Sequence, residues 1–169
     1  MTNDPVPALL DVLLDSWDRN NTILVNLLGL IPEGGLDARA AEDSPTVGMI
    51  FSHVHFVRLV FLEEDAPEYA RDLPAQEWAV ERDCERMAAM LHASARAVRD
   101  AVTGRLESGR AMELHYDHPI LMLQHLIWHE GYHHGQIKLA LKRVGMRLDD
   151  EAVGRATWGV WMDKHETRA

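Results

Sequence analysis

The sequence predicts an all-α protein, most simply a four-helix bundle with a short C-terminal extension. Three observations carry this. Apolar residues recur at helical spacing over four long stretches, polar Pro- or Gly-marked breaks separate those stretches, and no segment alternates as a strand would. At 169 residues the chain reads as one domain, residues 1–169, large enough to bury a core without disulfide or metal staples.

The first helix is expected from about Pro7 to Leu30, where Leu9, Leu13, Trp17, Leu24, Leu27 and Leu28 repeat at helical spacing. The run Ile31-Pro32-Glu33-Gly34-Gly35 ends it. Ser44-Pro45 reads as an N-cap followed by proline at the first helical position, opening a second helix that extends to about Glu64. Pro67 and Pro74 bracket a loop. The third helix spans roughly Arg82 to Leu106, with Met87, Met90, Leu91, Ala95, Val98 and Val102 inward and with Gly104 and Gly109 loosening its end. The fourth follows Asp117-His118, has Pro119 in its first turn and runs to Gly145 as a C′ glycine. A short helix or irregular tail carries Trp158 and Trp161.

Composition narrows the function classes. The net charge is −10 and no Lys/Arg cluster forms a phosphate-binding stripe, so nucleic acid is not an expected partner. No run of about 18 apolar residues predicts a membrane span, and MTNDPVPALL lacks the pattern of a secretory signal. The single cysteine, Cys84, excludes an internal disulfide framework and points to a reducing, cytoplasmic setting. It is expected as a small buried apolar residue. The five tryptophans are expected as core or dimer-contact anchors and the eight methionines as core packing.

The fourth stretch is unusual. From Pro119 to Leu141 only Glu130 and Lys138 are charged, so this helix is expected to be packed on several sides. Within it His125, His129 and His133 share one stripe with Met122, Leu126 and Ile137, while His134 is rotated about 100° from His133 and should be peripheral. Histidines four apart stack on one helix face, where both imidazoles can reach one ion. Stacked core histidines can equally be hydrogen-bonded structural residues, and spacing alone leaves both readings open.

The string His129-Glu130-Gly131-Tyr132-His133 also satisfies H-E-x-x-H, the zinc-protease signature with glutamate as general base. A third ligand would then come from downstream carboxylates such as Asp149, Asp150 or Glu151. In a bundle it would come from a facing helix, where His53 is the best placed and His55 points elsewhere. The protease reading sits poorly with a chain that shows no strand to hold a peptide and few residues beyond His133 for a second lobe.

The run from Trp128 to Ile137, containing His129, His133 and the Gly135-Gln136-Ile137 ending, resembles the fourth-helix motif of the DinB-like (YfiT-like) metalloprotein superfamily. The stretch Ser44 to His53 is similar to that family's second-helix motif. The resemblance implies a four-helix bundle, frequently dimeric, binding one divalent ion, zinc or nickel, through His53, His129 and His133. Glu130 matches no ligand position and reads as a solvated carboxylate or a partner of a ligand histidine. His125 reads as a pocket residue. Better-understood members are thiol-dependent transferases and an isomerase, so the resemblance implies a small-molecule substrate, with a thiol activated at the metal. A non-catalytic bundle with a structural or sensory ion is the alternative.

Overall fold

The computed structural model describes residues 9–162. Four long helices, α1 (Leu9–Gly29), α2 (Val47–Asp65), α3 (Cys84–Ser108) and α4 (Pro119–Arg143), are followed by two short ones, α5 (Asp150–Ala156) and α6 (Trp158–Met162). Among the described residues there is no strand; Arg39 and Thr46 form one isolated bridge. The expected start of the first helix at Pro7 lies outside the described residues. No helix in the described region is long and apolar enough to cross a membrane.

The helix ends show which local signals dominate. Thr46, not Ser44, caps α2: its hydroxyl accepts from the Met49 N–H at 3.2 Å. Ser44 is already committed to a tight turn, its hydroxyl bonding the N–H and carbonyl of Ala41, so the helix starts two residues later than Ser44-Pro45 predicts. Asp83 caps α3 by accepting from the N–H groups of Glu85 and Arg86. Cys84 is therefore the first residue of α3 and is exposed, against the expectation of burial. A histidine cap opens α4, with His118 Nδ1 accepting from Ile120 N–H ahead of Pro119. Its other end closes as expected on Gly145 (φ 80°): Met146 N–H reaches back to the Leu141 carbonyl at 2.9 Å and Gly145 N–H to that of Lys142 at 3.2 Å.

Gly104 does not loosen α3, which runs unbroken to Ser108 and ends on left-handed Gly109. Its absent side chain makes room: a Cβ there would stand 1.7 Å from the Tyr69 hydroxyl. The segment between α2 and α3, with its 3₁₀ turn Pro67–Tyr69, is thereby packed against the bundle.

Both α1 and α2 pack on α3 and α4 but scarcely on each other, so they occupy diagonal corners. Two apolar clusters fill the interior. One gathers Leu14, Trp17, Leu59, Leu62, Val98, Val102, Met122 and Leu126. The other gathers Leu24, Leu27, Ile50, Phe51, Val54, Leu91, Ile137 and Leu141.

Between the clusters in each sequence stripe stand polar residues: Asn20 and Asn21 on α1, Arg58 on α2, Ser94 on α3 and Glu130 on α4, all buried. They form one network. Arg58 donates to both Glu130 oxygens (2.6 and 2.8 Å), to Asn21 Oδ1 (2.9 Å) and to the Leu91 carbonyl (2.8 Å). Asn20 donates to Glu130 at 2.5 Å, and the guanidinium also lies 4.8 Å from the Trp17 ring centroid. Both Glu130 oxygens are thus hydrogen-bonded and the charge is paired, which is what a charged group in an apolar core requires.

Helix α4 is packed on one side rather than several. Met122, Leu126, Ile137 and Leu141 are buried, whereas Leu121, Trp128, Tyr132 and Leu139 form an exposed outer face. Of the tryptophans Trp17 alone is fully buried, and Trp158 and Trp161 are exposed on α6, against a core role for them. The C-terminal extension lies along α1, where Asn26 donates to the Ala156 carbonyl at 3.0 Å and Arg19 to that of Val160.

Candidate metal centre

His129 and His133 are one turn apart on α4, and α2 brings His53 against them. His129 Nε2 stands 3.2 Å from His53 Nε2 and 3.1 Å from His133 Nε2. Ligand atoms of all three lie within 4.8 Å of one another, making a group that could hold a metal ion. The donor set fits one: ligands at ~2.0–2.1 Å around a tetrahedral ion stand about 3.3 Å apart.

Neighbours orient two of the three rings. His133 Nδ1 lies 2.7 Å from Gln136 Oε1, and Gln136 in turn donates its amide to the Tyr132 hydroxyl at 2.9 Å. An acceptor at Nδ1 assigns the proton there and leaves the Nε2 lone pair facing the other two rings. His53 Nδ1 lies 2.9 Å from a Glu77 carboxylate oxygen, at ion-pair distance though not aligned as a hydrogen bond. Trp78 stacks on the same imidazole, centroids 4.0 Å apart and planes 3° from parallel. His129 Nδ1 is buried without a partner.

All three imidazoles are held toward the neutral form that can ligate a metal. Burial lowers the His53 pKa, reinforced by His133 and opposed by Glu77. Burial also lowers His133, with Gln136 opposing. His129 is pushed down to about 3, by burial first and then by the neighbouring His133 and His53.

The other sequence candidates are elsewhere. His55 is buried toward the Met90 backbone, and His134 lines a groove with Ile23, Gly131, Lys138 and Trp158. Asp149 caps α5 through the Ala152 N–H, while Asp150 and Glu151 pair with Arg147 and Arg155. His125 lies beside the triad, its ring 6.4 Å from that of His129 and its Nδ1 2.8 Å from the Tyr116 hydroxyl. Burial, then Asp65 and Glu64, push the Tyr116 phenol up to about 12. Kept protonated, the phenol offers both an O–H and an acceptor oxygen to His125 Nδ1.

Glu130 departs most from expectation. It is neither solvated nor bound to a ligand histidine; Arg58 and Asn20 take both its oxygens inside the core. With both oxygens engaged by Arg58 and Asn20 inside the core, Glu130 is not the free carboxylate that the general base of a zinc protease must be.

Sequence reasoning passed over Glu77, Tyr116, Arg58 and the role of Gln136, and read Trp78 as a core or dimer-contact anchor rather than as the ring stacked on His53. Gln136 was findable, because three residues after His133 places it one turn on along the same helix. Glu77 and Trp78 lie in an irregular segment and carry no periodic signal.

The sequence matches the model of the DinB family over residues 2–149. No curated protein and no solved structure matches it. With most of the chain covered, an all-helical bundle, and a three-histidine group joining the second and fourth helices, the chain belongs to the DinB family.

Proposed function

We propose that His53, His129 and His133 hold one divalent ion, zinc or nickel, and that the chain is a metal-dependent enzyme of the thiol S-transferase or isomerase kind. The convergence of three neutral imidazoles, their Nε2 atoms 3.1–3.2 Å from the central one, supports the ion. Resemblance to the family's thiol-dependent members supports the reaction class and a small-molecule thiol as partner. A divalent ion with three protein ligands keeps a position open and would supply a lowered thiol or water pKa there. The chain's own part is to orient: Glu77, Trp78 and Gln136 hold the ligand rings, and the Tyr116–His125 pair forms a polar wall beside them.

A structural ion is the second reading. Two apolar clusters and the Arg58 network already tie the four helices together, which favours an ion that works over one that staples. Elemental analysis of untagged protein should find about one ion per chain, lost in His53→Ala, His129→Ala and His133→Ala. Chelation should leave a cooperatively folded bundle. With an electrophilic acceptor, the metal-loaded protein should consume a low-molecular-weight thiol faster than the metal-free protein. Retention of metal without His53 overturns the triad, and equal thiol consumption overturns the S-transferase reading.

A further inference from the structure

Arg58 and Glu130 each sit close to the triad along their own helices. Arg58 follows His53 by five residues on α2, and Glu130 falls between His129 and His133 on α4. Arg58 Nε and Nη2 donate in parallel to Glu130 Oε1 and Oε2, a bidentate fork between the two helices that carry the three histidines. We infer that this pair is a positioning device for the metal site, setting the register of α2 against α4 so that His53 meets His129 and His133. The inference rests on the metal reading of the triad.

Stability alone does not call for charge at this place. Two ions taken out of water recover in mutual attraction about what they lose in hydration, and apolar side chains of similar volume often serve a core as well or better. Apolar contacts lack direction. They tolerate small sliding of one helix along another, whereas a planar fork on a carboxylate has essentially one geometry. The 3.2 Å between His53 Nε2 on α2 and His129 Nε2 on α4 leaves little room for sliding. The fork is itself anchored to the remaining helices, through Asn20 and Asn21 on α1 and the Leu91 carbonyl on α3.

Cobalt(II) tests this, because its visible absorption reports coordination geometry as well as binding. The double variant Arg58→Met/Glu130→Leu should still fold cooperatively, its melting temperature lowered only as far as the lost partners of Asn20 and Asn21 require. It should nevertheless bind cobalt at least tenfold more weakly, with a changed visible band. Arg58→Lys keeps the charge but not the fork, and should weaken cobalt binding and alter the spectrum in the same direction; it decides the matter if the double variant does not fold. Wild-type affinity and spectrum in a folded variant overturn the positioning role and leave the metal reading intact. If the wild-type protein takes up no cobalt, the metal reading fails and the inference falls with it.

Discussion

At the scale of single residues, the partners of the three clustered imidazoles are as informative as the rings. Glu77 and Trp78 touch His53 from a segment without regular structure, and Glu77 can be changed at little cost to the core, since its side chain is 44% exposed. Outer partners of ligand histidines typically contribute 10–100-fold in metal affinity. Glu77→Gln is expected to weaken metal binding by about tenfold while the melting temperature of the metal-free protein barely moves; competition against a chelating dye measures the first and calorimetry the second. Protonation adds a further expectation. Burial holds His53, His129 and His133 below the ordinary imidazole value in the folded state. On acidification through about pH 6.5 the unfolded chain therefore takes up protons that the folded chain refuses, and stability falls as pH falls. For His129 that window extends down to about 3. The melting temperature of metal-free protein should drop between pH 7 and pH 5, and less steeply for His129→Gln.

At the scale of elements, the sequence was a good guide to where helices lie and a weaker one to what their ends and glycines do. Pro119 and Gly145 frame α4 as read, because proline at the first turn and a left-handed glycine at C′ act through the backbone alone. Ser44-Pro45 misled because the Ser44 hydroxyl was spent on Ala41, a choice made by the turn. Cys84 misled because Asp83 sets the helix start and so turns Cys84 outward in the first turn. Gly104 reads in sequence as a weak point, yet it answers a contact with Tyr69 some 35 residues away. Alanine would add up to about 1 kcal/mol of helix propensity, but its Cβ would stand 1.7 Å from the Tyr69 hydroxyl. Gly104→Ala is expected to lose about 1–2 kcal/mol net in denaturant unfolding, and to lose little when Tyr69 is also changed to leucine.

At the scale of the whole molecule, the buried Arg58–Glu130 pair is where all four helices meet. Removing one charge strands the other in a medium that cannot solvate it. Glu130→Gln should therefore destabilise the protein by about 3 kcal/mol, read by thermal or denaturant unfolding. A zinc-protease base at this position would instead lose peptide hydrolysis with its stability unchanged.

The sequence by itself determined the all-helical class, the four long helices, the stripe holding His125, His129 and His133, and His53 as the histidine of α2 best placed to join them. Those properties follow from periodicity along one chain segment at a time. Tertiary structure decided the use of Glu130. Its side chain leaves α4 about 100° from that of His129, and only the packing of α2 shows that Arg58 waits there. The complementarity was faintly legible, since Arg58 is the one charge in the apolar run of α2 and Glu130 the one acid in that of α4. Pairing across helices depends on register, and register is a property of the assembled bundle. The same holds for Glu77 and Trp78, whose approach to His53 is a matter of where a loop comes to rest. The H-E-x-x-H string thus brings its two histidines into a group that could hold a metal ion, while its glutamate belongs to the core.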